Sequence, residues 1–191
     1  MLLLGREQVV DEQLDRFGHV AAAGKPIVVF VTASWCPNCR KQQPVVDTMA
    51  KDKAFADAVV PLAAYRGVTR LGGLTLASEV GDWRRFTRAS AFMGFCGLVP
   101  SEYSSGQVTR RGHITRAGNT HLRAQLVESA WAYQHRPSVG TTIAARHQGL
   151  DPQVVARAWA AQLRLCGRFR RLAARKTAKT VVATAIAREL A

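Results

Sequence analysis

The chain has 191 residues, 48% of them hydrophobic and 21% charged, a globular composition with enough length for a packed core. Its 27 Lys and Arg against 13 Asp and Glu give a formal net charge of +14, which points to a polyanionic partner, because clustered cations gain by displacing counterions from phosphates. Four cysteines, two of them in one C-x-x-C, exclude a disulfide-built secreted scaffold. The Met1-Leu2-Leu3-Leu4 start is too short for a signal peptide, and no apolar run reaches membrane-spanning length. The expectation is a soluble, cytoplasmic protein with no membrane partner.

The charge is unevenly spread. Residues 1–60 hold seven basic and seven acidic side chains, whereas the other 20 basic residues share their segment with six acids. A shift this sharp marks a domain boundary, and the expected division is 1–53 and 54–191.

Residues 7–22 read as an amphipathic helix through Val10, Leu14, Phe17 and Val20, closed by Gly24-Lys25-Pro26, and Ile27–Val31 reads as a buried strand. Then comes Trp35-Cys36-Pro37-Asn38-Cys39 at a helix start. A helix N-terminus stabilises a thiolate on Cys36, and Cys39, one turn on, can resolve a mixed disulfide. No second C-x-x-C or His pair follows at zinc-ligand spacing, so no metal site is expected. This segment resembles a thioredoxin-type fold over roughly residues 8–52. Residues 55–191 lack the further strands, cis-proline loop and closing hairpin of that fold. The resemblance therefore implies a truncated thioredoxin-like piece, and thiol-disulfide exchange through Cys36 and Cys39 is the alternative function.

From residue 54 on, the pattern is helical. Phe55, Val59, Leu62 and Tyr65 mark a helix over 54–66, Gly67-Val68-Thr69 a turn, and Leu71 to Val80 a second helix ending at Gly81. Helix, Gly-containing turn and helix resembles a helix-hairpin-helix, whose turn amides face a DNA phosphate; an ordinary helical hairpin is the competing reading. A helix around Ala89 to Phe95 leads into residues 97–123, the densest mixture of Gly, hydroxyls and bases in the chain. There Ser104 and Ser105 precede Gly106, and Arg110, Arg111, Arg116 and Arg123 alternate with Gly112, Gly118, Thr115 and Asn119. Glycines admit a phosphate close to backbone amides, arginines hold it through forked hydrogen bonds, and a nearby hydroxyl is a phosphate contact or a nucleophile. A Gly-rich surface loop with solvated charges would show the same residue types.

Asn119 is a good N-cap for a helix to about His135 with Leu122, Leu126, Ala130 and Tyr133 on one face. Residues 137–149 read as a connection, and Asp151-Pro152 as a strong helix start. If that helix runs on, Arg157, Arg164, Arg168, Arg171, Arg175 and Lys179 form one cationic stripe, with Val155, Trp159, Cys166 and Ala173 on the packing side. No acid follows Asp151 until Glu189, so the stripe points to nucleic acid rather than to a mixed solvated face. The expected fold class is mainly α, with a short α/β fragment in front.

Five stretches in order, Leu62-Ala63-Ala64-Tyr65-Arg66-Gly67-Val68-Thr69-Arg70, Glu79-Val80-Gly81-Asp82-Trp83-Arg84-Arg85-Phe86, Gly97 through Gly106, Arg111 through Asn119 and Leu122-Arg123, resemble the C-terminal domain of the IS110/IS116/IS902 group of insertion-sequence transposases. The resemblance runs from about residue 54 to the end. It implies a recombinase of DNA transposition, guided by a structured RNA, whose N-terminal RuvC-like domain holds Mg²⁺ with four acids and whose C-terminal domain supplies a nucleophilic serine. On this sequence that serine is Ser105, with Ser104 as the second choice. It also implies DNA as partner, a guide RNA, and assembly with a full-length transposase. The acid tetrad has no counterpart before residue 54, where the thioredoxin-like piece stands, so the chain is expected to bind nucleic acid, to hold no cofactor itself and not to transpose alone. A basic nucleic-acid-binding module without chemistry is the remaining reading.

Overall fold

The computed structural model describes Pro44 and residues 47–191, Lys176 excepted. The expected helix over 7–22, the strand at Ile27–Val31 and the redox pair Cys36 and Cys39 lie outside the described residues. What is described belongs to one compact unit, Gln43–Ala191. Its elements are α1 Lys53–Leu62, α2 Arg70–Val80, α3 Ala89–Phe95, β1 Pro100–Glu102, β2 Arg111–Ile114, α4 Thr120–Trp131, α5 Thr141–His147, α6 Pro152–Ala174 and α7 Lys179–Leu190, with single 3-10 turns at Trp83–Arg85 and Ala132–Gln134. The fold is mainly α, as the sequence led us to expect. Among the described residues no helix is long and apolar enough to cross a membrane.

The core is built around α4. Asn119 caps it by accepting a hydrogen bond from the Leu122 amide at 3.0 Å, and the expected face of Leu122, Leu126, Ala130 and Tyr133 is buried. Helices α2 and α7 pack on α4, and α6 packs on α7. Leu165, Cys166 and Phe169 of α6 and Val182 and Ile186 of α7 complete one cluster with Phe92, Cys96 and Leu98. Burying each Leu or Ile contributes about 1.5–3 kcal/mol. The Tyr133 hydroxyl is buried with no hydrogen-bond partner among the described residues, and burial pushes its pKa up, so it stays protonated.

The turn between α1 and α2 packs inward. Gly67 has φ 84°, and a Cβ there would meet the Ser129 carbonyl oxygen of α4 at 2.2 Å, so only glycine permits this approach. The amides of Ala64 and Tyr65 donate to the Pro61 and Leu62 carbonyls at the end of α1, and that of Val68 to the Tyr65 carbonyl. Arg146 Nη1 donates to the Val68 carbonyl at 2.9 Å, and His147 Nε2 lies 3.0 Å from that of Ala64. The Val68 amide of the turn is thus committed within the fold and the turn's carbonyls are clasped by other elements, the contacts of an ordinary helical connection. Arg146 and His147 belong to α5, which replaces the plain connection expected over 137–149.

Helix α6 begins at the expected cap, with Asp151 Oδ1 accepting from the Gln153 amide at 2.7 Å and Pro152 in its first turn. It ends at Ala174, so the expected continuous run to Lys179 is corrected: Lys179 opens α7, which doubles back along α6. The packed stripe is also rotated from the expected one. Of the expected packing side, Cys166 is buried and Ala173 packs half-buried against the core, but Val155 is half-buried and Trp159 is 39% exposed; the buried stripe is Ala158, Gln162, Leu165, Cys166 and Phe169. Within this stripe Phe169 stacks on Trp131 of α4, ring centroids 6.5 Å apart, so the helix turns that side to the shared core.

Between α3 and α4 the chain leaves the core as an antiparallel hairpin and returns to where it left. Pro100 pairs with Ile114 and Glu102 with Arg111, with a bulge between them. Below the strands, Thr115 N donates to Val99 O at 2.8 Å, Arg116 N to Gly97 O at 3.1 Å and Asn119 N to Phe95 O at 2.8 Å. This lacing requires two bare backbones. Gly97 has φ 66°, and Gly118 has φ 147° with a Cβ position only 2.3 Å from the Phe95 carbonyl oxygen. Gly118→Ala is expected to cost more than about 2 kcal/mol, from backbone strain plus a main-chain clash. Urea denaturation measures it; a loss under about 0.5 kcal/mol, the range of ordinary surface substitutions, would contradict this account of the lacing.

Candidate nucleic-acid interface

The hairpin carries its own geometry beyond β1 and β2. Tyr103 N donates to Arg110 O at 2.8 Å, and Ser105 and Val108 exchange two backbone hydrogen bonds at 3.2 and 3.1 Å. Gly106 and Gln107 therefore form a two-residue turn, with Gly106 at φ 58° in the position where a type II′ turn demands glycine. Ser105 stands at the tip of the ribbon.

Alternation of side chains along the ribbon separates the two serines. Ser104 shares a face with Glu102, and its Oγ donates to Glu102 Oε1 at 2.6 Å. Ser105 shares the other face with Tyr103 and, across the ladder, with Val108 and Arg110. Its hydroxyl makes no hydrogen bond among the described residues. Both serines, Arg110 and Arg111 are exposed, and Tyr103 is 75% exposed. A hydroxyl, a cation and an open aromatic face on one side of a ribbon form a surface that a sugar-phosphate strand with its bases can meet. Tyr103 was missed in reading the sequence, although it stands in the same motif.

The hairpin root lines a groove of about 630 Å³ against α6 and α7. Arg116 projects from the root with a left-handed backbone, φ 56°, unusual for a residue other than glycine and a strained state that neighbouring structure must hold. Arg168 of α6 and Arg188 and Glu189 of α7 line the same groove. Arg116 and Arg168, 52 positions apart in sequence, are thus brought to one concave surface. Arg188 was not singled out from the sequence, because no periodic stripe contains it.

Other expected contacts have duties inside the fold. Asn119, besides capping α4, donates from Nδ2 to Glu79 Oε2 at 2.6 Å, and the other Glu79 oxygen lies 2.6 Å from His121 Nδ1. Arg123 donates from Nη1 to the Cys96 carbonyl at 3.0 Å and from Nη2 to Thr120 Oγ1 at 3.2 Å, which ties the end of α3 to α4. Burial pushes the Cys96 thiol up to about 11, with Arg123 opposing the shift, so Cys96 is a protonated core residue and not a nucleophile.

The cationic stripe of α6 is divided. Arg157, Arg171 and Arg175 remain exposed, Arg157 folding its Nε back to the Gln153 carbonyl at 3.3 Å, and Lys179 is exposed at the start of α7. Arg164 Nη1 and Arg168 Nε instead hold the two oxygens of Glu189 at 2.8 and 2.9 Å. The stripe was expected free of acids up to Glu189, and it is Glu189 that folds back onto it. Among the described residues no group of three or more His, Cys, Asp and Glu side chains gathers as a metal site would.

Residues 61–148 match the family model described as Transposase IS116/IS110/IS902 family. The Sinorhizobium fredii protein y4qE, which carries a transposase name, is 46% identical over 138 residues, 72% of this chain and 35% of that protein. The transposase for insertion sequence element IS1111A of Coxiella burnetii is 38% identical over 66 residues, 35% of this chain and 18% of its own length. That for IS1328 of Yersinia enterocolitica is 26% identical over 98 residues, 51% and 29% of the two chains. The chain spans about a third or less of these relatives. The resemblance read from the motifs thus holds: at residues 61–148 the chain carries a transposase domain of the IS116/IS110/IS902 family.

Proposed function

We propose that residues 54–191 bind DNA through phosphate contacts and present Ser105 as the nucleophile of strand exchange in transposition. The observation that carries this reading is the hairpin tip, where Ser105 shares one exposed face with Arg110 and Tyr103. Ser105 Oγ attacks a phosphodiester phosphorus, one P–O bond forms as another breaks, and the leaving deoxyribose oxygen takes up the proton. Arg110, on the same face, stabilises the charge that gathers on the phosphoryl oxygens, while Arg111, across the ladder from Glu102 on the other face, adds to the binding of the DNA backbone. Ser104 is less suited to the attack, because its hydroxyl donates to the Glu102 carboxylate, whose charge repels an approaching phosphate.

Metal-assisted chemistry belongs, on the family resemblance, to a four-acid Mg²⁺ domain outside residues 54–191. The present residues contribute the phosphate contacts and the hydroxyl. A structured guide RNA and a full-length transposase are the further partners in this reading, and the exposed cations Arg116, Arg157, Arg171, Arg175 and Lys179 extend the basic surface that either nucleic acid would use. Thiol-disulfide exchange would rest on Cys36 and Cys39, outside the described residues, and nothing in residues 54–191 bears on it.

Fluorescence anisotropy with a labelled duplex over a salt series tests the binding. Affinity is expected to fall linearly on a log–log plot, and Arg110→Ala with Arg111→Ala to reduce the slope by about 2, roughly one unit for each phosphate no longer held. A salt-independent affinity would overturn the phosphate reading. Chemistry is tested separately, with a duplex whose scissile bridging oxygen is replaced by sulfur. Ser105→Ala is expected to abolish the covalent protein–DNA adduct seen on denaturing gels, and Ser104→Ala to retain it. Loss with Ser104→Ala alone would transfer the role to Ser104, and no adduct from any form would leave a binding module without chemistry.

A further inference from the structure

We propose that Glu189 is a built-in competitor for phosphate, holding Arg168 of the groove wall and Arg164 one turn before it on α6 until a DNA backbone displaces it; this rests on the DNA-binding reading above. The carboxylate is unusual in its setting. It is the only acid after Asp151 in a segment rich in arginine, and it lines the same groove as Arg116, Arg168 and Arg188. Arg164 Nη1 and Arg168 Nε take one oxygen each, and Arg164 Nη2 also donates to the Glu189 backbone carbonyl at 3.2 Å.

Two arginines one helical turn apart, both bound to one bidentate oxyanion, reproduce the way guanidinium groups grip a phosphodiester. Arg164 and Arg168 are 54% and 44% exposed and Glu189 is 29% exposed, so the ion pairs face solvent. Exposed pairs of this kind are weak and readily exchanged. A phosphate brings the same geometry to the same donors, and DNA brings many phosphates in a row. The exchange breaks no covalent bond and requires only that the Glu189 side chain rotate away from the groove. In the free protein the carboxylate lowers the positive potential of the groove and so weakens adventitious binding to polyanions.

The test measures duplex binding by anisotropy across a salt series for the wild-type chain, Glu189→Gln, Arg164→Ala/Arg168→Ala and the triple variant. Circular dichroism checks that each is folded. At about 0.15 M NaCl, Glu189→Gln is expected to bind roughly three- to tenfold tighter, with a log–log slope steeper by about one to two. The triple variant is expected to lose that gain. The arginine pair in the wild-type background is expected to cost less affinity than the Arg110/Arg111 pair, and this comparison stands even if Glu189→Gln fails to fold. Salt-dependent wild-type binding with no gain from Glu189→Gln, or an arginine pair as costly as the hairpin pair, would overturn the proposal and leave the DNA reading intact. Absence of binding by both wild type and Glu189→Gln would remove the DNA reading and this proposal together. Binding by Glu189→Gln alone would mean that the carboxylate closes the groove completely.

Discussion

The close backbone approach of residues 95–99 to residues 115–119 is the constraint on which the site depends. An exposed ribbon of this length has no core of its own, and a two-stranded hairpin is marginal in water. Its direction is set where it is rooted. Three main-chain hydrogen bonds close the root, and Gly97 and Gly118 let the two segments touch without side chains between them. Asn119 then caps α4, so the residue that ends the ribbon also starts the central helix. Leu98, wholly buried, anchors the root on the apolar side, and Arg123 binds the Cys96 carbonyl on the polar side. The hairpin is therefore an extension of the core, and Ser105 inherits its position from Leu98, Gly118 and α4.

A formal charge of +14 says little until each cation is assigned a neighbour. Arg85 lies over the Phe86 and Phe95 rings, 4.7 and 4.2 Å from their centroids, and Arg66 Nη1 donates to the Arg136 carbonyl at 2.8 Å. Arg146, with its pKa lowered by burial and then by Arg70, belongs to the clasp on the α1–α2 turn. These arginines stabilise the fold through hydrogen bonds and stacking. Among the described residues, Arg110, Arg111 and Arg116 have no comparable duty. Electrostatic attraction would draw a polyanion to the whole face, but contact geometry favours the hairpin and the groove at its root.

Much of this was legible in the sequence where local chemistry decides the outcome. Gly81, Asn119 and Asp151-Pro152 end or begin helices in the expected places, because caps and glycine turns act within a few residues. The periodic face of α4 was also readable, since every position of it is buried. The family was legible from five linked motifs. What escaped was settled by partners distant in sequence. Periodicity alone placed Cys166 in the core, where it is buried, but it could not say that the helix would turn Leu165 and Phe169 inward and leave Trp159 exposed. Nor could spacing show that Asn119 and Arg123 use their side chains within the fold, or that Glu189, 25 residues from Arg164, closes over part of the stripe. The helix at Thr141–His147 has no strong cap; its last residues dock on the α1–α2 turn, a tertiary contact without a local signal.

Hydrogen exchange of the folded chain with and without duplex DNA tests the central claim most directly, because it reports which backbone segments the nucleic acid covers. The account predicts that protection on binding concentrates in residues 101–116 of the hairpin and residues 179–189 beside the groove, while the α1–α2 turn around Gly67 is unchanged. Protection centred on residues 64–72, with the hairpin exchanging as in the free protein, would contradict it.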